Sequence, residues 1–197
     1  NDPTQASRPF SIDRKGIVLS EGGGVVVLAA EEVLQQCGLT PKAEVMGIGW
    51  TSDAYHFTLP NPQTIVRAIR DAIDDAGLEP GDIQHVNAHG TSTPKGDATE
   101  IECLRTVFGR SLPMIPVTAN KSQIGHTLGA SAAIEAALGI EAMQQGLLLP
   151  TVNHILDPEF ADIDVVPNRI RRYSYEFFLS NSFGFGGTNC CIVFRGV

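Results

Sequence analysis

The run from Gly129 to Gln145, GASAAIEAALGIEAMQQ, constrains the fold more than any other stretch. Wound as a helix it is apolar nearly all round, with Glu135 and Glu141 as its charges. Such a helix belongs in an interior and should be buried. It is no membrane span, because Leu128 to Leu149 is broken by those two carboxylates, and Val25 to Ala30 is too short to cross a bilayer. The surrounding chain must therefore supply layers to cover it.

The flanking pattern alternates strand and helix, which points to an α/β fold with a sheet flanked by helices. Gly16 to Leu19 and Val25 to Ala29 are predicted strands around Gly22-Gly23-Gly24, and Glu31 to Cys37 is a predicted short helix stopped by Gly38. Glu44 to Trp50 is a predicted strand, followed by a loop from Thr51 to Pro60. Asn61-Pro62 supplies an N-cap and a first-turn proline, with Ile65, Ile69, Ile73 and Ala76 at helical spacing until Gly77. A buried strand, His85 to Ala88, comes next. Asp97 with Glu100 has capping-box spacing, with Ile101, Leu104 and Phe108 as the stripe behind it. Strand Ile115 to Thr118 precedes the apolar helix. Phe177 to Ser182 and Cys190 to Phe194 form a predicted hairpin around Gly184-Phe185-Gly186-Gly187.

Composition narrows the function. With 43% hydrophobic and 18% charged residues the 197-residue chain is no disordered segment. The net charge of −8 argues against nucleic acid, since only Arg169 to Arg172 is locally basic. Four cysteines are too few for a disulfide scaffold, and NDPTQASRPF has no signal-peptide pattern, so a soluble cytoplasmic protein is expected. The chain opens on Asn1, so a fragment is expected.

Chemistry concentrates in three motifs. Asn87-Ala88-His89-Gly90-Thr91-Ser92-Thr93-Pro94 places a histidine and three hydroxyls at a strand's carboxyl end, which suits a substrate oxygen or a structural turn. Asn120-Lys121-Ser122-Gln123-Ile124-Gly125-His126 leads into the apolar helix, where Glu135 is placed to neutralise Lys121. Ser180 to Asn189, SNSFGFGGTN, is either a tight turn or an oxyanion-binding, gated hairpin. His89, Asp97 and His126 form a conceivable metal set, as in a small metal-dependent hydrolase, but no HExxH or CxxC spacing supports it.

In this order NAHGTSTPKGD, NKSQIGH and NSFGFGGTN resemble the elongating β-ketoacyl-acyl carrier protein synthases of the thiolase-like superfamily. SRPFSIDRKGIVLSEGGG and SDAYHFTLP resemble the type II, synthase II-like branch. The resemblance implies a mixed sheet flanked by helices, half of an α-β-α-β-α sandwich. Residues 1–42 then end the N-terminal half and residues 43–197 form the C-terminal half. It implies catalytic roles for His89, His126, Lys121 and the gating Phe185. Thr91, Thr93 and Phe183 then bind substrate, and Glu135 and Asp97 support the site. Asn87, Glu135, Ser180 and Asn181 match a structural cation site, and no organic cofactor is implied. The implied partners are acyl carrier protein bearing phosphopantetheine-linked acyl and malonyl groups, the N-terminal half, and a second copy in a homodimer.

One departure stands out. The family's nucleophilic cysteine sits in an Ala-Cys-Ser setting at a helix N-terminus, and none of Cys37, Cys103, Cys190 or Cys191 lies in such a motif. The isolated chain is therefore expected to be inactive. The alternative is a non-catalytic partner subunit resembling a chain-length factor, in which the histidines are dispensable.

Overall fold

The computed structural model describes residues 2–197. Among the described residues seven strands and five α-helices are formed. They are α1 (Glu31–Cys37), β1 (Ala43–Ser52), α2 (Pro62–Asp75), β2 (His85–Asn87), α3 (Pro94–Phe108), β3 (Val117–Thr118), α4 (Lys121–Ile124), α5 (Ser131–Gln144), β4 (Leu147–Leu148), β5 (Arg171–Arg172), β6 (Phe177–Gly184) and β7 (Thr188–Gly196). The main sheet has the order β1-β7-β6-β2-β3. Strand β2 runs parallel to both β3 and β6, whereas β6, β7 and β1 are successively antiparallel. The sheet is mixed, as expected.

Strand alternation divides the core in two. Leu179, Cys191 and Val193 face Ile65, Ala68, Ile69 and Ala72 of α2 and Ile101 and Leu104 of α3. Phe178 and Phe194, their sequence neighbours, face Ala136 and Met143 of α5. The α2 layer packs unusually close. Gly47 and Gly49 lie under the Ala68, Ala72 and Ala76 turns, and a Cβ on Gly49 would stand 1.8 Å from the Ala68 carbonyl.

Helix boundaries follow the capping residues. Asn61 accepts from the Gln63 N–H, Pro62 opens α2, and Gly38 closes α1 at φ 61°. The capping box at Asp97 is not formed. Helix α3 starts earlier, because Thr93 accepts from the Gly96 N–H and Pro94 takes the first position, which leaves Asp97 and Glu100 inside the helix.

Three other expectations are corrected. Gly16 to Leu19 makes only a single bridge, Leu19 with His126, and Val25 to Ala29 pairs with nothing among the described residues. The apolar run lies along no strand of either sheet. Val25 and Val27 are 88% exposed, while the preceding Gly24 lies against Ala133 and Ile134 of α5. Helix α5 is buried on one face only. Ser131, Glu135, Ala136, Gly139, Ala142 and Met143 are covered, but Ala132 and Ala137 are exposed and Ile134 and Leu138 half-buried. Among the described residues no helix is long and apolar enough to cross a membrane.

Candidate active site

Parallel pairing brings the three motifs together. The chain leaves the carboxyl ends of β2, β3 and β6 at one edge of the sheet, where ligands of open α/β sheets bind. His89 follows β2, Lys121 opens α4 after β3, and Phe183 is next to last in β6. A cavity of about 690 Å³ opens there, lined by His89, Thr91, Thr93, His126, Phe183 and Phe185 among others. The rings of His89 and His126 are 5.6 Å apart at 85°, and Phe183 lies 5.4 Å from His89.

Lys121 lies not in a loop but inside the protein, only 1% exposed. Its Nζ donates to Glu135 Oε1 at 2.6 Å and to the His89 carbonyl at 2.7 Å. This ammonium fixes the His89 backbone and holds a positive charge beside both imidazoles. Burial and the Lys121 charge hold the His89 imidazole well below its usual range and bring His126 down to about 4. Both rings are therefore neutral at pH 7. The Leu128 N–H donates to His126 Nδ1 at 3.2 Å, which places that ring's proton on Nε2. His89 Nδ1 is buried without a partner, leaving Nε2 as the nitrogen that faces the cavity. Two neutral imidazoles thus meet in one pocket, and a proton on each Nε2 suits them to negative charge developing on an oxygen.

Glu100 is the residue that sequence reasoning missed. It accepts from the His89 N–H at 2.9 Å, the Gly90 N–H at 2.8 Å and Asn181 Nδ2 at 3.1 Å, and is 2% exposed. Burial pushes its carboxyl up, opposed by those donors. The signal was present, since Asp97, Glu100, Ile101 and Leu104 share one helical face and both acids lie on its apolar stripe.

Asp97 does not approach the histidines. It is fully buried, accepts from the Phe10 N–H at 2.8 Å and lies 3.9 Å from Arg14, while burial pushes its carboxyl up to about 7. The conceivable His89, Asp97, His126 metal set is therefore not assembled, and among the described residues no group of three or more His, Cys, Asp or Glu side chains is placed to hold a metal. Among the residues that match the cation site, several oxygens lack partners. Asn87 donates to Ser180 at 3.2 Å, and Asn87 Oδ1, Asn181 Oδ1 and Glu135 Oε2 are buried without partners. Carbonyl and carboxylate oxygens of this kind suit a hard cation.

The rim is built from the hairpin and the loop after β1. Gly186 and Gly187, both at φ 83°, turn the hairpin so that Phe185 stands out, 56% exposed, and stacks on Phe57 at 5.9 Å. The Gly186 N–H donates to the Phe57 carbonyl at 2.8 Å. Asp53 ties both segments down, accepting from the Asn61 N–H at 3.0 Å and Asn189 Nδ2 at 2.7 Å. The four cysteines are free thiols. Burial pushes Cys103 up to about 12 and Cys190 and Cys191 upward as well, so these three are poor nucleophiles.

Comparison with known proteins agrees with this geometry. Residues 42–154 match the family described as beta-ketoacyl synthase, C-terminal domain. The 3-oxoacyl-[acyl-carrier-protein] synthase 2 of Staphylococcus aureus is 41% identical, over 99% of this chain and 49% of the relative. The Coxiella burnetii protein of the same name is 38% identical, over 100% and 48%. The ishigamide ketosynthase/chain length factor superposes with a TM-score of 0.92 at 38% identity, over 98% of this chain and 47% of that one. AntDE:AntF, a type II PKS acyl-carrier protein in complex with its ketosynthase bound to the hexaketide, superposes at 0.93 and 34% identity, over 98% and 48%. The chain thus spans about half the length of the curated relatives it matches and shares the thiolase-like fold of the solved ketosynthases. With the family match, full coverage by such relatives and the assembled three-motif pocket in agreement, the chain belongs to the beta-ketoacyl synthase family.

Proposed function

We propose that this chain is the decarboxylating half of a 3-oxoacyl-[acyl-carrier-protein] synthase, an acyltransferase of fatty acid or polyketide synthesis. Residues 1–42 end one half of the sandwich and residues 43–197 form the other. The observation that carries this reading is the neutral His89–His126 pair facing one cavity, with Lys121 and Glu135 sealed behind it. A malonyl thioester bound there places its carbonyl oxygen against the two Nε2–H groups. Its C–C bond to the carboxylate breaks, CO₂ leaves, and the electron pair moves into the thioester as an enolate whose oxygen the imidazoles hold. The enolate carbon then attacks an acyl thioester on a cysteine supplied from outside these residues. The new C–C bond forms and the thiolate departs.

Thr91 and Thr93 receive the phosphopantetheine arm of acyl carrier protein, Phe183 packs against the bound substrate, and Phe185 gates it. The backbone N–H of Phe185 shares the oxyanion hole for the acyl thioester. Asp97 supports the site from behind. Asn87, Glu135, Ser180 and Asn181 would hold a cation whose charge stabilises the buried oxygens between the strands. The complete synthase is a cytoplasmic homodimer. A chain-length-factor-like subunit is the second reading, and the intact His89, Lys121, His126 set speaks against it. The test joins this chain to a nucleophile-bearing half and assays 3-oxoacyl product from acyl- and malonyl-carrier protein. Product from the joined protein is expected, with none from the isolated chain. A folded, joined protein that makes none, or an isolated chain that makes it at full rate, overturns the proposal.

A further inference from the structure

Thr91 and Thr93 line the cavity with hydroxyls 3.1 Å apart, but the residue between them points the other way. Ser92 is fully buried and left-handed at φ 68°, a conformation a serine keeps only when its surroundings impose it. Both its polar groups are taken by a segment some eighty residues earlier. The Arg8 N–H donates to Ser92 Oγ at 3.1 Å, and the Gly16 N–H to the Ser92 carbonyl at 2.8 Å.

That segment, residues 7–16, is itself fixed along its length. Ser7 Oγ donates to the Lys121 carbonyl at 2.6 Å, and the Phe10 N–H to Asp97. Arg14 donates to Asp157 at 2.7 Å and to the Pro94 carbonyl at 3.2 Å, with its guanidinium 4.8 Å above the Phe160 ring. The backbone of His89 is held by different groups, Glu100 at its N–H and Lys121 at its carbonyl. One short loop therefore has two clamps, one on the histidine and one on the threonine pair.

We infer that residues 7–16 are a strap that, through Ser92 as a positioning residue, sets the Thr91 and Thr93 hydroxyls and hence affinity for the substrate's arm, separately from the chemistry at His89. This rests on the reading of the threonines as arm-binding. The test uses the complete synthase, this chain joined to its nucleophile-bearing half, with malonyl-carrier protein and with malonyl-N-acetylcysteamine, which lacks most of the arm. Ser92→Ala removes the hydroxyl and keeps the backbone strain, whereas Ser92→Gly removes both. Arg8→Pro deletes the donated N–H together with the side chain's bonds to Asp13 and the Gln5 carbonyl, which Arg8→Ala removes alone as the control, and serves if the Ser92 variants fail to fold.

Each variant except that control is expected to raise KM for malonyl-carrier protein about five- to tenfold, the worth of one hydrogen bond, with kcat within about twofold. The short thioester's constants stay unchanged. Equal losses on both substrates, no change on either, or a Ser92→Gly enzyme that behaves as wild type overturns the inference. A Thr91→Ala/Thr93→Val variant separates the two levels. If it leaves KM for malonyl-carrier protein unaltered, the arm-binding reading fails and takes the strap's role with it; if it raises KM while the Ser92 and Arg8 variants do not, only the strap fails.

Discussion

Lys121 and Glu135 tie the stability of the fold to the proposed chemistry. An ammonium and a carboxylate this deeply enclosed are tolerated because each is the other's partner, and removing one strands a charge. Lys121→Met is expected to lower unfolding free energy by about 3–5 kcal/mol in denaturant titration. Lys121→Met with Glu135→Leu should recover most of that loss without recovering decarboxylation, which separates the structural from the catalytic share. The imidazoles give a pH prediction. Unfolded histidines titrate near 6.5, whereas His126 in the fold titrates at about 4 and His89 is also depressed. These folded imidazoles bind fewer protons between those values, so their contribution to stability falls as pH drops from 6.5 toward 4, opposed in the same window by Asp97 at about 7. Melting temperature followed across that window in wild type and His126→Gln isolates the sign, with the variant expected to lose less stability toward pH 4 than the wild type.

At the scale of elements, close packing explains much of what the sequence left unread. Gly47 and Gly49 look like weak strand residues, yet they let α2 settle on β1, and only the three-dimensional approach of Ala68 reveals it. Gly49→Ala is expected to cost about 1–3 kcal/mol by overpacking, while Gly81→Ala, with nothing within 4 Å, should be neutral. Thermal melts of the two variants make the comparison. Helix α2 was legible because its apolar positions, N-cap and proline all agree. The hairpin was legible because glycines separate two apolar runs. Val25 to Ala29 was misread because a β-branched run becomes a strand only when it lies along a partner edge, and this run lies along none among the described residues. His89, His126, Lys121 and Phe185 were legible through their motifs. Glu100 and Ser92 were not, because one works as an acid on an apolar stripe and the other through a left-handed backbone held by a distant strap.

The whole molecule leaves several large apolar side chains uncovered. Val25, Val27, Leu28 and Trp50 are 74–88% exposed, and the outward face of α5 is only partly shielded. They are the side chains that the proposed nucleophile-bearing half would cover. The isolated chain is expected to bind a hydrophobic dye and self-associate with rising concentration in light scattering, and joining it to the nucleophile-bearing half should suppress both. The most direct test of the central claim is CO₂ release from malonyl-carrier protein by that joined protein, measured with His89→Ala and His126→Ala beside acyl loading of the cysteine by mass spectrometry. Each histidine variant should lose about 10²–10³-fold in CO₂ release, the worth of one oxyanion donor, while acyl loading persists. CO₂ release that survives both substitutions would contradict the assignment of decarboxylation to this half.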